Sequence, residues 1–176
     1  ADAPPINALV LVDIAPRMEE VGVERIVRFM RARPDGFASL EEAAQHIAAY
    51  RGRPMEGPVE GLKKNLRMNA QGLWNWHWDP QLMSEANHNH RRDADGYERA
   101  LRGLQAPTLL LRGQRSDVIS EEDARALVQT LPRARFIDLK GAGHMIAGDA
   151  NDAFAASVAA FLHEVMPSTQ SPSGEI

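Results

Sequence analysis

Three apolar stretches constrain the fold of this chain more than any other feature of its sequence. They are "ALVLVD" (residues 8–13), "APTLLLRG" (106–113) and "ARFIDL" (134–139). The first two are continuous apolar runs without alternation, which is typical of strands buried on both faces of a parallel sheet. A helical pattern capped by Ser120 and ended by Pro132 separates the second stretch from the third, and another helical pattern follows the third. The sequence therefore predicts an α/β fold with parallel strands joined by helices.

A long segment between the first and second predicted strands has mostly helical periodicity. Apolar residues of "VERIVRFM" (23–30) recur at helical spacing. Ser39 with Glu42 forms a capping box before a second helix, and Pro58 opens a third helical stretch, "VEGLKKNLRM". We predict a strand-containing core at residues 1–16 and 101–166 and a helical insertion at 17–100. The polar end of the chain, 167–176, is predicted to be a disordered tail.

Composition excludes several classes of function. The net charge of −4 comes with no evident basic face, which argues against a nucleic-acid partner. The chain has no cysteine, so it has neither a disulfide framework nor a thiolate nucleophile. His88 and His90 lack a third ligand at fitting spacing, so no metal site is predicted. No apolar run approaches the roughly 20 residues that cross a bilayer, and the start lacks the pattern of a signal peptide. We expect a soluble, cytoplasmic protein without a membrane partner.

Two titratable side chains follow successive predicted strands. Asp117 lies in the turn-forming stretch "GQRSD", and His144 lies in "KGAGHM", where Gly141 and Gly143 allow a sharp turn. Loops after parallel strands meet at the edge of the sheet where ligands bind. A carboxylate bonded to one imidazole nitrogen fixes the tautomer and leaves the other nitrogen as a general base. The pair is either part of a nucleophile–His–acid triad or a structural hydrogen bond.

Three segments together resemble the C-terminal half of an α/β-hydrolase: "LVLVDIAP", "APTLLLRGQRSDVIS" and "DLKGAGHMIAGDANDAF". They are most similar to the bacterial group of esterases, epoxide-hydrolase-like enzymes and cofactor-free haloperoxidases. The resemblance runs from residue 8 to about residue 165. It implies that residues 8–13, 107–112 and 134–139 are the sixth, seventh and eighth strands of that fold, and that the insertion is its helical cap.

The same resemblance implies a chemistry. Asp117 would be the triad acid and His144 the general base, in a hydrolysis of an ester, lactone or similar carbonyl that needs no cofactor or metal. In some relatives of this fold the acid follows the sixth strand instead, so Asp13 is the alternative. We prefer Asp117, because "VDIAP" also reads as a turn in which Asp13 caps the following segment.

The chain departs from the family at the nucleophile. Neither the G-x-S-x-G elbow nor the oxyanion loop exists in this sequence, and none of its serines has the elbow's context. We expect a complementary polypeptide, either a cleavage product or a separate subunit, to supply the N-terminal half of the fold. A deletion is the alternative. Without such a partner, the outer edge of the first strand would be unpaired, which is an aggregation hazard.

Two other functions remain open from the sequence. An aspartate nucleophile would make the protein an epoxide or haloalkane hydrolase, but neither Tyr50 nor Tyr97 is well placed as the acid for epoxide opening. A non-catalytic binding domain that keeps the hydrolase fold is the second alternative.

The tryptophans of the chain all lie in "WNWHWDP" (74–80), where alternation puts their side chains on one face of an extended segment. They form either an aromatic wall for a small apolar or acyl substrate or a core that holds the insertion to the main domain. These residues are Trp74, Trp76 and Trp78. Met145, beside the proposed base, is expected at the rim of the pocket.

Overall fold

The computed structural model describes residues 5–84 and 93–166, which form two compact units. The sheet unit contains the chain up to Val23 and from Asp93 onward, and the hairpin unit is Glu24–Arg92. The predicted boundaries fell after residues 16 and 100, so the sheet unit includes more of the chain on both sides of the insertion. The predicted tail and the pair His88 and His90 lie outside the described residues.

Regular elements cover most of the described chain. In chain order they are β1 (Leu9–Val12), α1 (Glu20–Arg31), α2 (Leu40–Arg51), β2 (Leu66–Met68), β3 (Trp74–Trp76), α3 (Ala94–Arg102), β4 (Thr108–Gly113), α4 (Glu121–Thr130), β5 (Ala134–Leu139), α5 (Ile146–Asp149) and α6 (Asn151–Val165). Short 3₁₀ helices lie at Val59–Lys64 and Pro80–Met83. None of the helices in the described part of the chain is long and apolar enough to span a bilayer.

The sheet unit is built on a three-stranded parallel sheet in the order β1-β4-β5. Leu9 pairs with Thr108, and Thr108 pairs in turn with Ala134. All six residues of β4 are buried, as its uninterrupted apolar sequence predicts for a central strand. The parallel strands predicted from the three apolar stretches are therefore confirmed.

Alternate side chains of β4 point to opposite faces of the sheet, and each face has its own core. Leu110 packs with residues of α4, including Ala124 and Leu127. Leu109 and Leu111 pack with Ile146 of α5, Phe161 of α6 and other residues. Burial of this kind stabilises a fold by about 25 cal/mol for each Å² of apolar surface removed from water. The two cores bury β4 on both faces, between its neighbours in the sheet.

The hairpin unit is less helical than its sequence pattern predicts. Helices α1 and α2 form as expected, and Ser39 Oγ accepts a hydrogen bond from Glu42 N at 3.2 Å. The stretch "VEGLKKNLRM" is not one helix, however, because its first part forms a 3₁₀ helix and its last part forms β2. β2 pairs with β3 in an antiparallel hairpin, and Asn69 Oδ1 closes the turn by accepting from two backbone amides, those of residues 71 and 73.

Phe37 links the helices of this unit to its hairpin. Its backbone exchanges two hydrogen bonds with Trp74, at 2.8 and 2.9 Å, and its ring meets Trp76 edge to face at 5.6 Å. Phe37 is fully buried in a cluster with Leu40 and Leu66. The three-residue strands of the hairpin are therefore held by packing against this cluster rather than by their own length.

Candidate active site

Asp13 is the first residue after β1, and its backbone is in the left-handed region at φ 50°. An aspartate tolerates this conformation better than most side chains do. The Asp13 amide still donates to Leu111 O at 2.7 Å, so the residue remains fixed to the end of β4. Only 1% of the residue is exposed. The turn therefore places a carboxylate inside the protein, at the carboxyl edge of the sheet.

Three donors surround the Asp13 carboxylate. Gly113 N donates to Oδ1 at 3.1 Å, and Ser116 Oγ donates to Oδ2 at 2.6 Å. His144 Nδ1 lies 2.7 Å from the same Oδ2. An ionised carboxylate can only accept, so Nδ1 of a neutral His144 carries its proton and Nε2 is left with a free lone pair. This is the tautomer that a general base requires.

His144 lies in the loop between β5 and α5, and its side chain is 29% exposed. Gly141 turns the chain at φ 72°, which costs a glycine little. Ile146 N donates to His144 O at 2.9 Å and begins α5 two residues after the histidine. His144 therefore lies on a loop between a glycine turn and the start of α5, with its side chain partly exposed.

The loops that follow β4 and β5 are joined along their backbones. Gln114 N donates to Leu139 O at 3.0 Å, and Arg115 N donates to Ala142 O at 2.8 Å. The Arg115 guanidinium also donates to Gly141 O. A β-carbon on Gly113 would lie 2.2 Å from Gly143 O, so only glycine fits at that point. The position of His144 therefore depends on the end of β4 as much as on its own strand.

Substitution of Gly113 by alanine is expected to move the loop of His144. A methyl group at this point overlaps the carbonyls of Gly143 and Ala142, and overpacking of this kind costs about 1–3 kcal/mol of stability. Urea unfolding of Gly113→Ala measures that loss, and any hydrolytic turnover of the protein should fall with it. The matched control is Gly148→Ala, because a β-carbon there meets nothing within 4 Å. Equal stability of the two variants would contradict the close approach.

Asp117 lies in the same loop as Ser116, half-buried. Its backbone carbonyl packs against Gly22, where a β-carbon would lie 1.9 Å from Asp117 O. Arg112 anchors this loop, because its Nε donates to Ile119 O at 2.8 Å while its Nη1 bonds Asp138 Oδ1 at 2.9 Å. The carboxylate that the structure places on His144 Nδ1 is nevertheless that of Asp13. This contact favours Asp13, the alternative acid, over Asp117, and the identity of the triad acid stays a prediction.

The other predicted site residues lie in different surroundings. Met145 is 51% exposed beside the histidine. Trp74 and Trp76 pack on the core of the hairpin unit, and Trp78 stacks on Trp76 with ring centroids 4.5 Å apart. These contacts favour the packing role for Trp74 and Trp76, and substrate contact by any of the three stays a prediction. Ser116 and Gly113 were not predicted as site residues from the sequence, although Ser116 is a short polar residue directly before Asp117.

Within residues 5–84 and 93–166, no group of three or more His, Asp or Glu side chains is placed to hold a metal ion. The arrangement at the sheet edge is an oriented imidazole backed by a buried carboxylate. Such a pair can remove a proton from a nucleophile and return it to a leaving group.

Comparison with known proteins supports the same fold. Among curated proteins, the chain is similar to the 3-hydroxybutyrate-oligomer hydrolase of Cupriavidus necator, with 26% identity over 151 residues. The match covers 80% of this chain and 51% of that protein, so the chain spans about half the length of this relative.

The chain also covers little more than half the length of two solved structures of similar fold. An E-2-(acetamidomethylene)succinate hydrolase matches with a TM-score of 0.73 and 16% identity, over 89% of this chain and 57% of that one. An esterase of Mycobacterium tuberculosis matches with a TM-score of 0.63 and 24% identity, over 89% and 54%. Identities this low show the fold alone, and the fold is the predicted partial α/β-hydrolase.

The sequence profile of the family described as TAP-like protein matches residues 75–170, which is more than half of the 176 residues. The matched region includes β4, β5 and His144. The chain therefore belongs to the TAP-like protein family of α/β-hydrolases.

Proposed function

We propose that this chain supplies the general base and its orienting acid to an esterase-type hydrolase, with His144 as the base and Asp13 as the acid. The observation that carries the proposal is the 2.7 Å contact between His144 Nδ1 and the buried Asp13 Oδ2. The family is a hydrolase family, and the similar proteins include one named as an esterase. Ester, lactone or similar acyl substrates fit this chemistry better than substrates that need a separate acid for ring opening.

The reaction would proceed in two acyl-transfer steps. A serine hydroxyl attacks the substrate carbonyl while His144 Nε2 takes its proton, and Asp13 stabilises the imidazolium that forms. The imidazolium then gives the proton to the leaving alcohol, which leaves an acyl-serine. Water attacks the acyl group in the second step, His144 accepts a proton from the water, and the proton returns to the serine as the acid product leaves.

The nucleophile and the oxyanion hole would come from a segment outside these 176 residues. The free edge of β1 is the place where that segment would add a strand, because in the described ranges no further strand pairs with β1 on that side. Ile6, Val12 and Ile14, on β1 and beside it, are 59%, 37% and 48% exposed, which leaves apolar surface for a neighbouring strand to cover. A complementary polypeptide or another part of the same protein would serve equally in this geometry.

A fluorophosphonate probe tests the proposal in the full protein. The nucleophilic serine attacks phosphorus and expels fluoride, which leaves a phosphonyl-serine that mass spectrometry can locate. We expect hydrolysis of p-nitrophenyl butyrate, its loss after labelling, and a labelled serine in a G-x-S-x-G segment outside residues 1–176. The polypeptide that carries the label identifies the partner. Labelling of a serine in this chain, or no turnover of any acyl ester, would contradict the proposal.

A further inference from the structure

Asp13 Oδ2 receives hydrogen bonds from two side chains at once. Ser116 Oγ lies 2.6 Å away and His144 Nδ1 lies 2.7 Å away. The other oxygen of the carboxylate is bonded to the backbone of Gly113. Ser116 and His144 therefore provide the side-chain hydrogen bonds that fix the rotation of the carboxylate about its χ angles.

The direction of the Ser116 hydrogen bond follows from its surroundings. Ser116 Oγ accepts from Val118 N at 3.1 Å, and because an ionised carboxylate can only accept, the Ser116 proton points to Asp13 Oδ2. The hydrogen bonds form a chain from the Val118 amide through Ser116 and Asp13 to the imidazole. Donation from Val118 N polarises the Ser116 hydroxyl and strengthens its own hydrogen bond to Asp13.

This geometry also separates Ser116 from the nucleophile of the proposed reaction. A triad nucleophile bonds the Nε2 side of the imidazole. Ser116 bonds the acid, which lies on the Nδ1 side. Its hydroxyl therefore contacts the acid and lies on the side of the imidazole away from the nucleophile.

We propose that Ser116 is a positioning residue for His144. By donating to Oδ2, it holds the Asp13 carboxylate in the rotation that keeps Nδ1 protonated and Nε2 free. The kinetic consequence rests on the proposed function, but the effect on the His144 tautomer does not. Loss of a hydrogen bond to a charged group should reduce kcat by about 10- to 100-fold.

NMR of the ring nitrogens in the full protein reads the tautomer directly. The His144 signals are assigned by their absence in His144→Gln. In the wild-type protein we expect a protonated Nδ1 and an unprotonated Nε2. In Ser116→Ala we expect a mixture of tautomers and faster exchange of the Nδ1 proton, whereas Ser116→Thr, which keeps the hydroxyl, should match the wild type.

The control for loop stability is Ser120→Ala. Ser120 caps α4 at the end of the same loop, accepting from Asp123 N at 3.0 Å and donating to the Asp123 carboxylate. Its removal should cost about 1 kcal/mol of stability, as capping residues do, without changing the His144 signals. If Ser120→Ala shifts the tautomer as Ser116→Ala does, the effect is one of loop stability and the proposal is overturned.

Kinetic measurements complete the test, and they distinguish failure of the positioning role from failure of the proposed function. We expect Ser116→Ala to lower kcat for p-nitrophenyl butyrate with little change in KM, and Ser116→Thr to restore it. An unchanged tautomer in Ser116→Ala overturns the positioning role whatever the activity. A shifted tautomer in a protein that hydrolyses no ester supports the positioning of His144 and overturns only the proposed reaction.

Discussion

Replacement of Asp13 by asparagine is expected to lower kcat for an acyl ester by about 10⁴-fold in the full protein. Asparagine has nearly the same shape, and its carbonyl oxygen can still accept from Gly113 N. Its amide, however, would donate to His144 Nδ1, which then has to accept. The imidazole proton moves to Nε2, which is the nitrogen that must take the proton of the nucleophile. Steady-state turnover of p-nitrophenyl butyrate by Asp13→Asn measures the effect.

Asp117→Asn is the matched control for this prediction, because it makes the same chemical change in the neighbouring loop. We expect a much smaller loss of turnover from it. The reverse result, in which Asp117→Asn abolishes activity and Asp13→Asn preserves it, would return the acid to the residue that the sequence analysis preferred. Urea unfolding of both variants should accompany the assay, since Asp13 is buried and its carboxylate receives three hydrogen bonds.

Removal of the base should have a larger effect still. His144→Ala is expected to lower kcat by about 10⁶-fold, the scale of loss when the histidine of a triad is removed. Only the ring is lost, since the backbone hydrogen bonds that hold this loop do not involve the imidazole. We therefore expect a folded protein that binds substrate and does not turn it over. Single-turnover measurement with a chromogenic ester separates loss of chemistry from loss of binding.

The control for His144→Ala is His163→Ala, a change to an exposed histidine on α6. This variant should retain wild-type turnover. Added imidazole should partly restore the activity of His144→Ala, because a small base can enter the space left by the ring. Full activity in His144→Ala would instead identify a non-catalytic domain that keeps the hydrolase fold.

The sheet could be predicted from the sequence because its strands are buried on both faces. "ARFIDL" is β5 residue for residue, and β4 lies within "APTLLLRG". The hairpin of β2 and β3 could not be predicted in the same way. Each of its strands has three residues, and Leu66 reaches its place only by pairing with Trp76. Periodicity within a segment does not report a contact of that kind.

The candidate site was predictable in part. The glycines around His144 and its place after a strand indicated a candidate base, and the structure places a carboxylate beside it. The sequence could not decide whether Asp13 or Asp117 is the carboxylate partner of His144, because both residues follow neighbouring strands at one edge of the sheet. The left-handed turn at Asp13 brings its carboxylate into contact with His144 Nδ1, and this turn is a property of the folded backbone. The role of Ser116 depends on that same turn.

The contact between Asp13 and His144 joins residues 131 positions apart in the chain. During synthesis, the acid leaves the ribosome long before the base exists, and the strand that lies between them in the sheet is made only shortly before the base. An incomplete chain therefore contains an aspartate and no oriented imidazole. Contacts this distant in sequence also form late and slowly in folding. The contact between the carboxylate and the imidazole can therefore form only after all three strands of the sheet have been made and have paired.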